Sequence, residues 1–101
     1  DPRFERKGND LLTTKTIDLY TAVLGGKIEV PTLTGSVKMS VPKGTEHGKT
    51  LRLKGKGMPI YGTNSFGDLM VRIQVSLPKS LNTEEEQLFK KLKAIRTNKT
   101  L

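Results

Sequence analysis

Three short stretches hold the residues whose types and spacing could do chemistry: Gly44-Thr45-Glu46-His47-Gly48-Lys49-Thr50, Gly55-Lys56-Gly57-Met58-Pro59-Ile60, and Gly67-Asp68. The first looks like a phosphate loop, but that motif needs four residues between its glycines and a helix after the lysine. Here three residues separate Gly44 from Gly48, and the residues after Lys49 read as a strand. The second opens like a dinucleotide fingerprint. Ile60 stands where the third glycine belongs, and Pro59 blocks the helix whose N-terminus would hold a pyrophosphate. His47 is the only histidine. No serine or carboxylate is tied to it by a recognised spacing, so it reads as a solvated loop residue rather than a base or a ligand. Asp68 reads as a turn aspartate that caps backbone amides at a strand start rather than as a catalytic acid. The absence of cysteine removes thiolate zinc sites and disulfides. We therefore expect no catalytic residue, no metal site, no cofactor and no enzyme activity.

Charge is the compositional anomaly. The formal net charge is +8, with 18 basic residues against 10 acidic ones. Local concentrations lie at Lys49, Arg52, Lys54 and Lys56, and again at Lys90, Lys91, Lys93 and Arg96. Such a balance fits nucleic acid, an anionic surface or an acidic peptide as partner, or solubility alone. Single-strand binders stack bases on exposed rings, whereas Phe4, Tyr20, Tyr61, Phe66 and Phe89 are scattered here, which disfavours nucleic acid. An electrostatic module carried by Lys49, Arg52, Lys54 and Lys56 stays as an alternative function, as does a purely structural spacer.

The elements behind these residues can be read from hydrophobic alternation. A chain of 101 residues, 34% of them hydrophobic, has room for one compact domain. It contains no run of the ~18 apolar residues that a membrane span needs and no signal-peptide pattern. We expect a soluble, cytoplasmic protein with no membrane partner. Its first methionine is Met39, so we expect it to be part of something longer.

Phe4 to Leu11 reads as a turn, followed by a threonine-rich strand near 11–17. Asp18 is an N-cap for a short helix over 18–24, which Gly25 and Gly26 stop. Ile28, Val30 and Thr32 alternate with Lys27 and Glu29 until Pro31, which restricts the strand to a sheet edge or bulge. Thr34-Gly35 reverses the chain, and Val37, Met39 and Val41 alternate on the way back, giving a hairpin of strands 27–33 and 36–41. A short basic strand over 50–54 precedes a loop with five glycines and prolines between Gly55 and Gly67. Leu69, Val71, Ile73, Val75 and Leu77 mark a strand over 68–77. A helix over 83–95 carries acidic residues in its first turn and an apolar stripe at Leu88, Phe89, Leu92 and Ile95. The expected class is mostly β: a small two-sheet sandwich or open barrel, one short internal helix and a C-terminal helix.

With these residues laid out, the chain resembles the second C-terminal, substrate-binding-type domain of DnaJ-type J-domain co-chaperones. The resemblance rests on Phe4-x-Arg6-x-Gly8-x-Asp10-Leu11, Ala22-x-x-Gly25-Gly26-x-Ile28-x-Val30-Pro31-Thr32-Leu33-x-Gly35 and Val41-Pro42-x-Gly44-Thr45-x-x-Gly48. It continues through Leu51-Arg52-x-x-Gly55-x-Gly57-Met58-Pro59, Gly67-Asp68-Leu69 and Leu77-Pro78-x-x-Leu81. Each motif is weak alone, but six in order at the right spacings are specific. The resemblance implies a β domain over 1–81 and a dimerisation segment over 82–101. It also implies a role in holding unfolded polypeptide and handing it to a DnaK-type heat-shock chaperone. If clients bind here, the edge of the 27–32 strand is the natural place, with Leu24, Ile28 and Val30 as apolar pockets. The other reading makes these three residues ordinary core. The stripe Leu88, Phe89, Leu92 and Ile95 is expected to support a weak homodimer, or to fold back on its own sheet.

Overall fold

The computed structural model describes residues 2–99. Its elements are β1 (Glu5–Lys7), β2 (Asp10–Asp18), α1 (Leu19–Leu24), β3 (Gly26–Thr32), β4 (Gly35–Val41), β5 (Thr50–Leu53), β6 (Leu69–Ser76) and α2 (Thr83–Lys99). They make a mostly β fold of two open sheets, one of four strands in the order β1-β2-β6-β5 and one of two strands, β3-β4.

Long-range pairing builds the larger sheet. β2 and β6 run parallel from Leu11 opposite Leu69 to Asp18 opposite Ser76, so the whole intervening chain is the crossover that parallel strands require. β5 adds to β6 antiparallel, Leu53 facing Leu69. Alternation then sends Leu11, Thr13 and Ile17 of β2, with Leu69, Val71 and Ile73 of β6, to one face, where all are buried. Val30 and Thr32 of β3, Met39 and Val41 of β4, and Ala22 of α1 are buried with them. The hairpin thus covers the larger sheet with its apolar side, and the core lies between the two.

Local chemistry sets the boundaries. Asp18 caps α1, its carboxylate accepting from the Thr21 N–H at 2.8 Å and from the Thr21 hydroxyl at 2.9 Å. Gly25 closes the helix with φ 79°, a left-handed angle that favours glycine, and a Cβ there would lie 2.9 Å from the Val41 carbonyl oxygen. Asn82 and Glu85 form a reciprocal capping box at the start of α2: Asn82 Oδ1 accepts from the Glu85 N–H at 2.8 Å, and Glu85 Oε1 accepts from the Asn82 N–H at 2.9 Å.

The elements fall within a few residues of the expected ranges, with two larger departures. The segment read as a turn holds a strand, β1, whose Arg6 faces Leu11. The last helix runs four residues beyond 95, to Lys99. The tail from Thr97 carries no sequence pattern and is expected to fray, yet it is helical as far as Lys99; residues 100 and 101 lie outside the described residues. The molecule measures 58 × 28 × 19 Å, with a radius of gyration of 17.8 Å, against the ~13 Å of a compact 100-residue domain.

Candidate functional site: the edges and exposed apolar faces

The β3–β4 hairpin is a two-stranded ribbon, so among the described residues each of its strands has one edge unpaired by any other strand. Pro31, opposite Ser36 in the register, lies on this ribbon, in keeping with proline's confinement to edges. Unpaired strand edges are templates for another extended chain.

The structure separates the three residues proposed to line apolar pockets here. Leu24, at the end of α1, is 66% exposed. Ile28 is half-buried and packs against the core. Val30 is 0% exposed, which fits the reading of it as ordinary core: no client side chain reaches it unless the ribbon lifts off the larger sheet. Alternation recognises an apolar face but does not say what covers it.

The basic stretch lies on and around β5. The Arg52 guanidinium Nε sits 3.4 Å from Asp68 Oδ2, while Asp68 Oδ1 accepts from the Gly55 N–H at 3.0 Å. Asp68 is therefore the turn-capping aspartate expected of it. Lys49 immediately precedes β5, its carbonyl accepting from the Ile73 N–H at 2.8 Å. Lys54 and Lys56 are exposed in the turn after β5.

The C-terminal stripe is open. Leu88, Leu92 and Ile95 are 52%, 58% and 53% exposed, whereas Phe89 is partly buried. The Phe89 ring meets the Tyr20 ring of α1 with centroids 6.3 Å apart and planes tilted by 39°. Leu88, Leu92 and these two rings line an apolar crevice of about 330 Å³. Phe89 thus faces the body and leaves the rest of the stripe to solvent.

A second apolar groove, of about 480 Å³, lies between α1, the 44–47 loop and the end of β6, with Leu19, Val23, Val75 and Leu77 in its lining. Sequence reasoning did not find it, because its walls come from three separate segments. Reasoning from spacing also missed the role of His47. This residue is exposed as expected, but its Nδ1 accepts a hydrogen bond from the Val75 N–H at 3.0 Å, so it is bound to β6 rather than free in solvent. Among the described residues no cluster of three or more His, Cys, Asp or Glu is placed to hold a metal ion. No helix among them is long and apolar enough to cross a membrane.

The sequence model of the DnaJ C terminal domain family matches residues 1–78. The chain belongs to the DnaJ C-terminal domain family. Among proteins similar to this DnaJ C-terminal domain is the "Chaperone protein DnaJ" of Oleidesulfovibrio alaskensis, 40% identical over 101 residues, which are 100% of this chain and 27% of that protein. That of Dichelobacter nodosus is 48% identical over 87 residues, 86% of this chain and 23% of its own. That of Leptospira biflexa is 47% identical over 88 residues, with shares of 86% and 24%. The chain spans about a quarter of the length of these curated relatives. The family match ends before α2, but the Oleidesulfovibrio alignment continues through it.

Proposed function

We propose that this DnaJ C-terminal domain belongs to a co-chaperone that holds unfolded polypeptide and delivers it to a DnaK-type heat-shock chaperone. The observation that carries the reading is the β3–β4 ribbon with unpaired edges, in a chain of this family. Such an edge takes an extended segment by main-chain hydrogen bonding, which is indifferent to client sequence and suits a binder of many unfolded chains. Leu24 and the half-buried Ile28 supply the neighbouring apolar contacts. Titration of a labelled apolar heptapeptide into the domain and into a folded Ile28→Ser variant tests this. Binding that weakens in the variant is expected, and equal or absent binding in both removes the idea.

The same reading gives α2 the role of pairing two protomers weakly, through Leu88, Leu92 and Ile95. A stripe of this length offers less than the ~800 Å² per partner of a standard interface, so a micromolar or weaker dimer is expected. Light scattering over a hundredfold concentration range, repeated on Leu92→Asp, decides it. A tight dimer at the lowest concentration would refute weak pairing, and an unchanged dimer in the folded variant would place the interface elsewhere.

A further inference from the structure

Three hydrogen bonds fasten the loop before β5 to the side of β6 that faces away from β2. The Gly48 N–H donates to the Ile73 carbonyl at 2.7 Å, and the Ile73 N–H donates to the Lys49 carbonyl at 2.8 Å. These two continue the β5–β6 ladder by backbone alone. At the third position the Val75 N–H donates to His47 Nδ1 at 3.0 Å, so a side-chain nitrogen stands in for the next backbone acceptor.

That substitution makes the last rung depend on a ring nitrogen that can accept only while it carries no proton. An imidazole nitrogen that accepts a hydrogen bond carries no proton, so the neutral ring must hold its proton on Nε2. Once protonated, both nitrogens are donors and neither accepts. Histidine is the side chain whose ordinary charge change falls between pH 5 and 8. We propose that His47 is a proton-sensitive latch, whose neutral ring closes the end of β6 against the 44–49 loop and whose protonation releases the Val75 N–H and opens that end.

The rest of the loop is held by bonds that do not titrate. The Gly44 N–H donates to the Val23 carbonyl at 3.1 Å, and the Thr45 N–H donates to the Ala22 carbonyl at 2.9 Å, both in the last turn of α1. The Thr45 hydroxyl donates to the Pro42 carbonyl at 2.6 Å. Opening is therefore confined to the span between Thr45 and Gly48. His47 is also the one ionisable residue in the lining of the groove between α1 and β6. From α1 that groove is faced by Leu19, Ala22 and Val23, and from β6 and the residues after it by Val75 and Leu77. The charged neighbours in the chain are Glu46 and Lys49 on the loop itself, both exposed. Protonation thus places a cation and a bare backbone donor at the rim of an apolar groove. The bond exists only while Nδ1 carries no proton, and a protonated ring cannot accept it.

Nitrogen-15 NMR of the whole domain tests the latch directly. The imidazole of His47 is expected as the Nε2–H tautomer at pH 7.5. Between pH 7.5 and 5 the exchange of the Val75 amide, relative to its intrinsic rate, is expected to rise ~3- to 10-fold, the worth of one exposed hydrogen bond, while Ile73 stays unchanged. His47→Gln, whose amide does not titrate, should flatten that dependence, and His47→Ala should leave Val75 unprotected at both pH values. An Nδ1–H tautomer at pH 7.5, pH-independent protection of Val75 in the folded wild type, or a pH dependence that survives in His47→Gln would each overturn the proposal.

Discussion

Asp10 and Asp68 are 58 residues apart in sequence, yet the carboxylate of Asp10 accepts a hydrogen bond from the backbone N–H of Asp68 at 2.7 Å. The Leu11 N–H returns a bond to the Asp68 carbonyl at 2.9 Å. The starts of β2 and β6 are thereby locked in register. Asp10→Ala removes the acceptor and leaves a partly buried N–H unpaired, at a cost of ~1–3 kcal/mol. Asp10→Asn keeps an acceptor oxygen and should recover much of this. Urea unfolding of both variants measures the difference, and equal midpoints would show that the register is held by other contacts.

Gly67 is buried against the carbonyl of Asn9, and a Cβ there would overlap that backbone atom. Gly57 is similarly tight, with a Cβ 2.6 Å from the Asp68 carbonyl oxygen. Neither position has a left-handed φ, so space and not conformation requires glycine. Gly67→Ala must push two backbone segments apart and is expected to destabilise by ~2 kcal/mol or more. Gly62→Ala, with open space around it but φ 81°, should cost ~1 kcal/mol. Thermal melts of the two variants compare them.

Val30 and Leu24 should respond in opposite ways to truncation. Val30→Ala opens a cavity in the fully buried core and should cost ~1–3 kcal/mol. Leu24→Ala, at an exposed helix end, should stay within about 0.5 kcal/mol. If peptide binding nonetheless falls in Leu24→Ala, the client-holding role of the β3 edge gains support independent of folding. Binding unchanged in Leu24→Ala would remove that residue from the site.

Asp18 has its pKa lowered from 3.8, first by the hydrogen bond from the Thr21 backbone and then by that from the Thr21 hydroxyl. Because the folded value is depressed, the cap contributes fully above the ordinary carboxylate value. Its contribution fades as pH falls below 3.8 through the lowered folded value. Wild type should therefore lose stability against Asp18→Asn across that acid window, and parallel pH–stability curves would contradict the capping role.

Phe89 on Tyr20 is the ring contact through which α2 meets the body. In proteins most helical stability comes from packing of the apolar face rather than from the helix alone. Phe89→Ala should therefore lower the helical signal in circular dichroism while leaving the sheet intact. An unchanged spectrum would mean that the capping box and the Glu86–Lys90 pair, at 3.3 Å, suffice for α2.

Much of this architecture can be read from local pattern, and its failures have a common cause. The β3–β4 hairpin and β6 announce themselves by alternation, and α1 by its aspartate and double glycine. β1 does not, because Glu5, Arg6 and Lys7 are all charged and exposed, and only pairing with β2 makes them a strand. The candidate site was less legible. Alternation identified Ile28 and Val30 as one apolar face, but the larger sheet that covers Val30 comes from residues distant in the chain. His47 lies 28 residues from the Val75 amide it accepts from, and no spacing rule connects them.

The parallel pairing of β2 with β6 also constrains the order in which the molecule can assemble. The strand at Asp10–Asp18 has no central partner until Leu69–Ser76 has been made, and closing so long a loop precedes any gain from its contacts. The β3–β4 hairpin, by contrast, needs only its own two-residue turn. During synthesis the ribbon can form early while β2 waits with its apolar side open. A nascent chain of this family is then, for the time taken to make about fifty more residues, itself an unfolded polypeptide with an exposed strand.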